Sequence, residues 1–186
     1  MILTEIKYFA MTEKFVGLTM NFLDKPFEGI FSNMFLQCGN KNPCESGLVK
    51  VIPSDQICNN CQNIITPNWK QHWFSFFGPN PFVKFDFVNL KVLLTAYSLK
   101  TYSGQEGYGH LQSWIIQGSN DDENYERIDE KINSNDLNSN CAFHTYKIEE
   151  KVQPYRFIKI TMTGKNHAGT DFMVIRNIEF FGTLSQ

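Results

Sequence analysis

The sequence has no apolar run that approaches the roughly 18 residues needed to cross a bilayer as a helix. Its first fifteen residues also lack the basic start and unbroken apolar core of a signal peptide, because charged side chains such as Glu5 and Lys7 interrupt them. These two absences predict a cytoplasmic protein. Its five cysteines are then expected to be reduced thiols, and an odd number would leave one unpaired in any full disulfide scheme.

A strong net charge and a nucleophile motif are absent as well. The formal net charge of −2 gives no broad attraction to nucleic acid or anionic lipid, so neither partner is expected. No G-x-S-x-G or comparable turn is present, and the histidines His72, His110, His144 and His167 are not accompanied by such a nucleophile. The sequence therefore predicts a protein that is not an enzyme.

Aromatic residues, in contrast, are plentiful. They make up 15% of the 186 residues, and hydrophobic residues make up 42%, which is typical of a globular chain of one domain. From Trp73 onward, apolar and polar side chains alternate with a period of two. In PFVKFDF, for example, Phe82, Lys84 and Asp86 lie opposite the apolar side chains. Several such segments, separated by turn-rich stretches, predict an all-β sandwich or barrel.

The stretch GHLQSWIIQGSNDDENYERID predicts a hairpin. Trp114 and Ile116 are expected to face inward, Gly118 to relax the turn, and Tyr125 and Ile128 to return to the core.

The acidic residues of this turn offer a second interpretation. Asn120 or Asp121 is expected to cap the turn, but Asp121, Asp122 and Glu123 also present oxygen ligands of the kind that calcium prefers. A solvated turn is the simpler reading. We therefore expect no cofactor and leave a structural calcium ion open.

The N-terminal third mixes strand and helix patterns. KFVGLTMNFL and GLVKVIPS (47–54) read as strands. Between them, PFEGIFSNMFLQCG predicts a short helix that begins near Pro26, stops at Gly39 and repeats apolar side chains at helical spacing. We expect this helix to cover one open end of the sandwich.

Two long segments, YSLKTYSG…GHLQSWIIQGSNDDENYERID and YRFIKITMTGKNHAGTDFMVIRNIEFFGTL, resemble the coagulation factor 5/8 type C, or discoidin, family. The resemblance runs from about Trp73 to Leu184. It implies a galactose-binding-like jelly-roll sandwich, with residues 1–186 as a single domain in which 1–50 form a strand and helix extension and 51–186 the sandwich. The earlier FEGIFSNM…CGNKNPCESGLVKV is similar to the region before such domains in intracellular proteins that carry BTB modules.

The resemblance also implies where ligands bind. Members bind sugars, lipid head groups, peptides or partner proteins through loops at one end of the sandwich, which correspond here to 54–69, 102–110 and 164–171. Secreted members tie their two ends with a disulfide. No cysteine follows Cys141, so this clamp is missing, which agrees with an intracellular setting.

Four of the cysteines suggest metal or redox chemistry that the spacing does not favour. Cys58 and Cys61 form a C-x-x-C, with Cys38 and Cys44 upstream, and four thiols could hold zinc. The spacing is not that of a two-knuckle zinc site, and the polar loop around the motif is not a strand-to-helix redox junction. Free thiols, and no metal ligands, are the prediction.

Aromatic and polar side chains in the implied loops are the candidate binding residues. Trp73 is expected to lie in the core, and Trp69 to be an exposed anchor. His110 is expected to be structural. The residues predicted to contact a ligand are Trp69, His72, Tyr102, Tyr108, Lys165, Asn166 and His167.

Two functions follow from this set. The first is a non-catalytic, cytoplasmic protein-interaction module that uses loops at one end of the sandwich. The alternative is a module for galactose-like glycans, in which an aromatic platform lies beside polar groups. A protein or a glycan is thus the expected partner, and membrane binding is not expected because the loop tips carry few apolar side chains.

Overall fold

The computed structural model of the chain describes residues 12–55, 58–76, 78–150 and 152–186. They form eleven strands, a helix, α1, at Ile30–Gln37 and a 3-10 helix at Cys61–Ile65. The strands are Thr19–Met20 (β1), Lys50–Pro53 (β2), Trp73–Phe74 (β3), Phe82–Asp86 (β4), Lys91–Lys100 (β5), Trp114–Ser119 (β6), Glu126–Lys131 (β7), Phe143–Lys147 (β8), Phe157–Met162 (β9), Val174–Ile175 (β10) and Asn177–Ser185 (β11). No described helix is long and apolar enough to cross a bilayer.

Two antiparallel sheets pack against each other. One has the strand order β2-β4-β9-β6-β7 and the other β1-β11-β5-β8, while β3 pairs with β10 beside them. The indole nitrogen of Trp114 donates to the hydroxyl of Tyr97 at 3.0 Å, and the rings of Phe85 and Phe180 lie 5.1 Å apart, so side chains of both sheets meet in one core. The predicted all-β jelly-roll sandwich with a short N-terminal helix is confirmed.

Alternation of side chains predicts the inward faces of the long strands correctly. In β4, Val83 and Phe85 are fully buried while Lys84 is half-buried on the outer face. Asp86 lies on that outer face too but is only 4% exposed, because Arg156 donates to it through Nε at 2.8 Å and Nη2 at 3.1 Å. The ion pair with Arg156 thus buries Asp86, although the alternation of side chains places it on the outer face.

The predicted hairpin joins β6 to β7, but two of its residues have other roles. Gly118 lies within β6, where a side chain would overlap the ring of Tyr155, and Asp122 supplies the positive φ of the turn. The prediction that Tyr125 returns to the core is wrong. It is half-buried on the outer face, where Lys159 lies 3.5 Å from its ring centre.

The N-terminal strands are shorter than predicted. KFVGLTMNFL yields only the two residues of β1, because the chain before it turns, with the N–H of Phe15 donating to the carbonyl of Thr12 and Gly17 at a φ of 81°. β2 covers four residues of GLVKVIPS. β1 adds to β11 and β2, which begins at Lys50, adds to β4, so the segment up to Pro53 contributes a strand to each sheet.

Helix α1 lies within the stretch that predicted it and ends before Gly39, whose φ is 70°. Its Phe31 packs against Phe87 beside β4 and against Phe180 of β11, at ring distances of 5.8 and 5.0 Å. The helix therefore closes the space between the two sheets, as expected for a cover over one opening of the sandwich.

A buried carboxylate holds the start of this helix. Glu179 of β11 accepts the N–H of Phe31 at 2.8 Å, of Ser32 at 3.0 Å and of Phe180 at 2.9 Å. The free N–H groups of a helix start need such acceptors when water is excluded. Burial raises the pKa of Glu179 to about 7, against the opposing effect of the N–H donors.

Candidate functional site

The described parts of the three loops implied by the sequence lie at the same end of the sandwich. The 54–69 loop follows β2, whose Pro53 pairs with Val83 near the start of β4, and β4 begins where β9 ends, since Phe82 pairs with Thr161. β5 ends where β11 begins, since Lys100 pairs with Asn177, and β6 begins where β9 ends, since Trp114 pairs with Met162. The loops that leave these strand ends are therefore neighbours. Loops positioned by a rigid sheet are common binding sites.

His110 is a buried residue that links the 102–110 and 164–171 loops by hydrogen bonds. It is fully buried, with Nδ1 2.7 Å from the hydroxyl of Thr101 and Nε2 2.8 Å from the carbonyl oxygen of Gln105. Its own carbonyl accepts the N–H of His167 at 3.0 Å. Both ring nitrogens are thus used within the protein, and the prediction of a structural His110 is confirmed.

The 164–171 loop is braced by two of the residues predicted to bind a ligand. Asn166 is 1% exposed: its amide nitrogen donates to the hydroxyl of Thr170 and to the carbonyl of Phe172, and its amide oxygen accepts the N–H of Ala168 and Thr170. Half-buried His167 places Nε2 3.0 Å from the carbonyl oxygen of Ser134. Both side chains are committed to holding the loop in shape.

Lys165 and Tyr108 lie on the surface of their loops. Lys165 forms an ion pair with Asp171 across the 164–171 loop, and both side chains are about half exposed. Tyr108 is 56% exposed on the 102–110 loop. Neither residue lines either of the two pockets described in the following paragraphs.

A pocket of about 380 Å³ opens beside β3 and β10, and we call it the aromatic pocket. Its lining residues are His72, Phe74, Ser75, Phe76, Tyr102, Phe172 and Val174. The rings of His72 and Tyr102 are 5.2 Å apart, and Phe74 and Phe76 are 44% and 57% exposed. Of the predicted site residues, the structure thus brings His72 and Tyr102 together.

Few polar groups face this pocket. The hydroxyl of Tyr102 accepts the N–H of Gly109 at 3.1 Å, and the hydroxyl of Ser75 accepts the N–H of Met173 at 2.9 Å. Burial, and secondarily the charge of Arg176, lowers the pKa of His72, so its imidazole is neutral at pH 7. The pocket is suited to an apolar or aromatic group rather than to an ion.

Sequence reasoning missed Phe74, Phe76 and Phe172 as pocket residues. The signal for the first two was present: in WFSF, alternation with a buried Trp73 and a buried Ser75 turns both Phe side chains outward. The same alternation confirms Trp73 as a core residue. Phe77 belongs to the same aromatic stretch but lies outside the described residues. No local signal pointed to Phe172.

A second, smaller hollow of about 180 Å³ lies next to the first, and we call it the cationic cavity. Trp69 forms one wall and is half-buried against the core, not exposed as predicted. Lys70, Lys100 and Arg176 line it, with Glu179 as its acidic residue. Arg176 donates through Nε to the backbone carbonyl oxygen of Trp69 at 3.2 Å, which orients the guanidinium at this cavity.

Two carboxylates of the acidic turn, those of Asp121 and Asp122, already have partners within the protein. Asp121 accepts the side-chain amide of Asn124 and the backbone N–H groups of Asn124 and Glu123, which together lower its pKa, and so acts as the predicted cap. Asp122 pairs with Lys84 at 2.6 Å. Within the described ranges, no group of three or more acidic, histidine or cysteine side chains is arranged to hold a metal ion.

The cysteines are free thiols in various degrees of burial. Burial raises the pKa of Cys44 to about 11 and that of Cys61 further still, so both remain protonated at pH 7.

No family model matches the chain. Over 101 residues it is 30% identical to the E3 ubiquitin-protein ligase hecd-1 of Caenorhabditis elegans, an alignment that covers 52% of the chain but only 4% of the ligase. Among solved structures, it is similar to CpGH89CBM32-5 from Clostridium perfringens in complex with GalNAc-β-1,3-galactose. The TM-score is 0.57 at 15% sequence identity, and the match covers 73% of this chain and 96% of that one.

An F5/8 type C domain from Bacteroides fragilis gives a TM-score of 0.58 at 13% identity and covers 74% of this chain and 93% of that one. At such identities, a structural likeness establishes the fold alone. The chain therefore has the galactose-binding-like fold shared by F5/8 type C domains and these carbohydrate-binding modules.

Proposed function

We propose that the chain is a non-catalytic binding module that holds a segment of a partner protein in the aromatic pocket. The observation that carries the proposal is the exposure of Phe74 and Phe76 at the mouth of a pocket whose walls are almost entirely apolar. Large aromatic side chains held at a rigid, partly desolvated surface are the usual anchors of protein interfaces.

The shortage of polar groups favours a protein segment over a sugar. A sugar needs several hydrogen-bond partners beside its aromatic platform. Asn166 is committed to its own loop, and Lys165 is paired with Asp171, so two groups assigned to a sugar site are already occupied. An apolar side chain, in contrast, needs only the desolvated walls that the pocket offers.

The partial similarity to a ubiquitin-protein ligase agrees with a protein ligand, since such ligases act on proteins. A cytoplasmic location belongs to the same proposal and rests on the sequence. We also propose that residues 1–186 fold as one domain, which is supported by β1 and β2, the strands that the chain up to Pro53 adds to the two sheets.

A glycan is the second candidate. It is favoured by the fold shared with a module crystallised with GalNAc-β-1,3-galactose, and by the adjacent rings of His72 and Tyr102, which could stack on a sugar face. A protein segment needs apolar pocket walls, whereas a glycan also needs hydrogen-bond partners beside the rings. One pair of variants therefore tests both candidates.

The test combines a displayed random-peptide library, a glycan array and two matched variants. Phe76→Ala removes an exposed ring from the pocket mouth, and Phe143→Ala removes a ring of similar exposure (53%) that does not line the pocket. A selected peptide should bind Phe76→Ala about tenfold more weakly and Phe143→Ala nearly unchanged, as expected for loss of an interface anchor.

Two results would contradict the proposal. Selection that yields no peptide sensitive to Phe76→Ala would remove the aromatic pocket as a protein site. Saturable binding to one glycan that is lost in Phe76→Ala, without peptide binding, would establish the second candidate instead.

A further inference from the structure

We propose that the cationic cavity is a second binding site, which takes the carboxylate of an acidic side chain from the same partner segment. The inference rests on the proposed function in one respect only, namely that the ligand belongs to a protein. It commits to the chemistry of the group bound, and it can fail while the aromatic pocket remains a protein site.

Charge is the first argument. Lys70, Lys100 and Arg176 line the cavity, and in the described part of the chain none of the three forms an ion pair. The acid at the cavity, Glu179, directs both carboxylate oxygens to backbone N–H groups at the start of α1 and in β11. The cavity is therefore positively charged whether or not Glu179 is ionised.

The walls strengthen this charge. Phe27 and Trp69 form part of the rim, and the buried side chains of Ile64 and Ile65 form part of the lining. Apolar walls exclude water and lower the local dielectric constant, so an anion between them interacts more strongly with the cations than at an open surface. A volume of about 180 Å³ fits a group of a few heavy atoms, such as the end of an acidic side chain.

Arg176 is oriented before a ligand arrives. Its Nε donates to the carbonyl of Trp69 at 3.2 Å and its Nη1 to the sulfur of Cys141 at 3.0 Å. These bonds use two of the five N–H groups that a guanidinium carries. The remaining N–H groups of a fixed guanidinium lose little entropy when a carboxylate accepts from them.

The cavity continues the aromatic pocket. Both are lined by the same two stretches, residues 64–76 and 172–179, and the charge of Arg176 extends to His72 of the pocket. A partner segment that places an apolar side chain in the pocket would carry a nearby acidic residue over the cavity. The two hollows together thus specify an apolar anchor followed or preceded by Asp or Glu.

The test uses capped amino acids as probes in an NMR titration of the full chain. The matched pair is N-acetyl-glutamate methylamide and N-acetyl-glutamine methylamide, which differ in charge and not in shape. We expect the glutamate probe to shift the indole N–H resonance of Trp69 saturably and the glutamine probe to leave it in place. Capped phosphoserine and glucuronate are the competing sources of an anion.

Variants then identify the cations. Lys100→Gln and Arg176→Gln should each weaken binding of the glutamate probe about tenfold, as for loss of a charge-assisted hydrogen bond. Lys147→Gln, which removes an exposed charge on β8 outside the cavity, should change it less than twofold. If Arg176→Gln disturbs the fold because it loses its bonds to Trp69 and Cys141, Lys100→Gln alone decides.

Three outcomes would overturn the inference: no saturable shift with the glutamate probe, equal shifts with both members of the matched pair, or tighter binding of phosphoserine or glucuronate than of glutamate. Phe76→Ala separates this inference from the proposed function. Peptide binding that depends on Phe76 but not on Lys100 or Arg176 keeps the aromatic pocket and removes the anion site.

Discussion

The buried carboxylate of Glu179 makes the stability of the fold depend on pH in a direction opposite to that of most acidic residues. Its pKa is raised from the usual 4.5 to about 7 in the folded chain. Between these values the folded state holds a proton that the unfolded state has lost, so the free energy of unfolding falls as the pH rises. The contribution is complete below pH 4.5 and is gone above pH 7.

The size of the effect follows from the shift. One pKa unit corresponds to about 1.4 kcal/mol, so the free energy of unfolding should fall by about 2.5 kcal/mol between pH 5 and pH 8 because of this group. Glu179→Gln removes the titration and keeps one oxygen, which can accept from the N–H groups of Phe31 and Phe180 as Oε1 does. The variant should therefore lack this part of the pH dependence.

The assay is urea unfolding, followed by tryptophan fluorescence, at pH 5, 6, 7 and 8 for both proteins. The difference between the two isolates Glu179 from His72, whose lowered pKa makes stability rise with pH through the range below its usual 6.5. Parallel curves for the two proteins across this range would refute the reasoning and would mean that the N–H donors of α1 keep Glu179 ionised in both states.

Further predictions concern packing in the sandwich. Gly118→Ala should lower the free energy of unfolding by roughly 1–3 kcal/mol because the new methyl group overlaps the ring of Tyr155. The control Gly164→Ala should be close to neutral, since the nearest atom to its methyl group would be 3.7 Å away. Equal urea midpoints for the two variants would contradict this prediction. Trp114→Phe should cost about 1 kcal/mol more than Trp73→Phe, since the Trp114 indole donates a hydrogen bond and, within the described residues, that of Trp73 has no partner. A larger loss for Trp73→Phe in chemical denaturation would show that volume outweighs hydrogen bonding at these sites.

Most strands of the sandwich could be predicted because each is specified by its own side chains. In β4 and β6 the alternation of apolar and polar residues alone identifies Phe85 and Trp114 as inward-facing. Helix α1 was predictable for a similar reason, since the spacing of its apolar residues and the stop at Gly39 are local.

The errors occurred where a neighbour distant in sequence decides the role of a residue. Gly118 is needed for the close approach of Tyr155, not for a turn. On the outer face Lys159 contacts the ring of Tyr125, and Arg156 covers Asp86. None of these partners can be read from the residues around the position itself.

The candidate site, too, was predictable only where local sequence specifies it. The alternation of side chains alone predicted an all-β sandwich or barrel, because a period of two is a local property. The resemblance to a known family predicted the jelly-roll sandwich and candidate binding loops at one end of it. Only the tertiary structure decided that His72 and Tyr102 share a pocket with Phe172 while Trp69 faces Arg176 in a separate cavity. The physical reason is that each hollow is walled by segments about a hundred residues apart, which come together only when the two sheets pack.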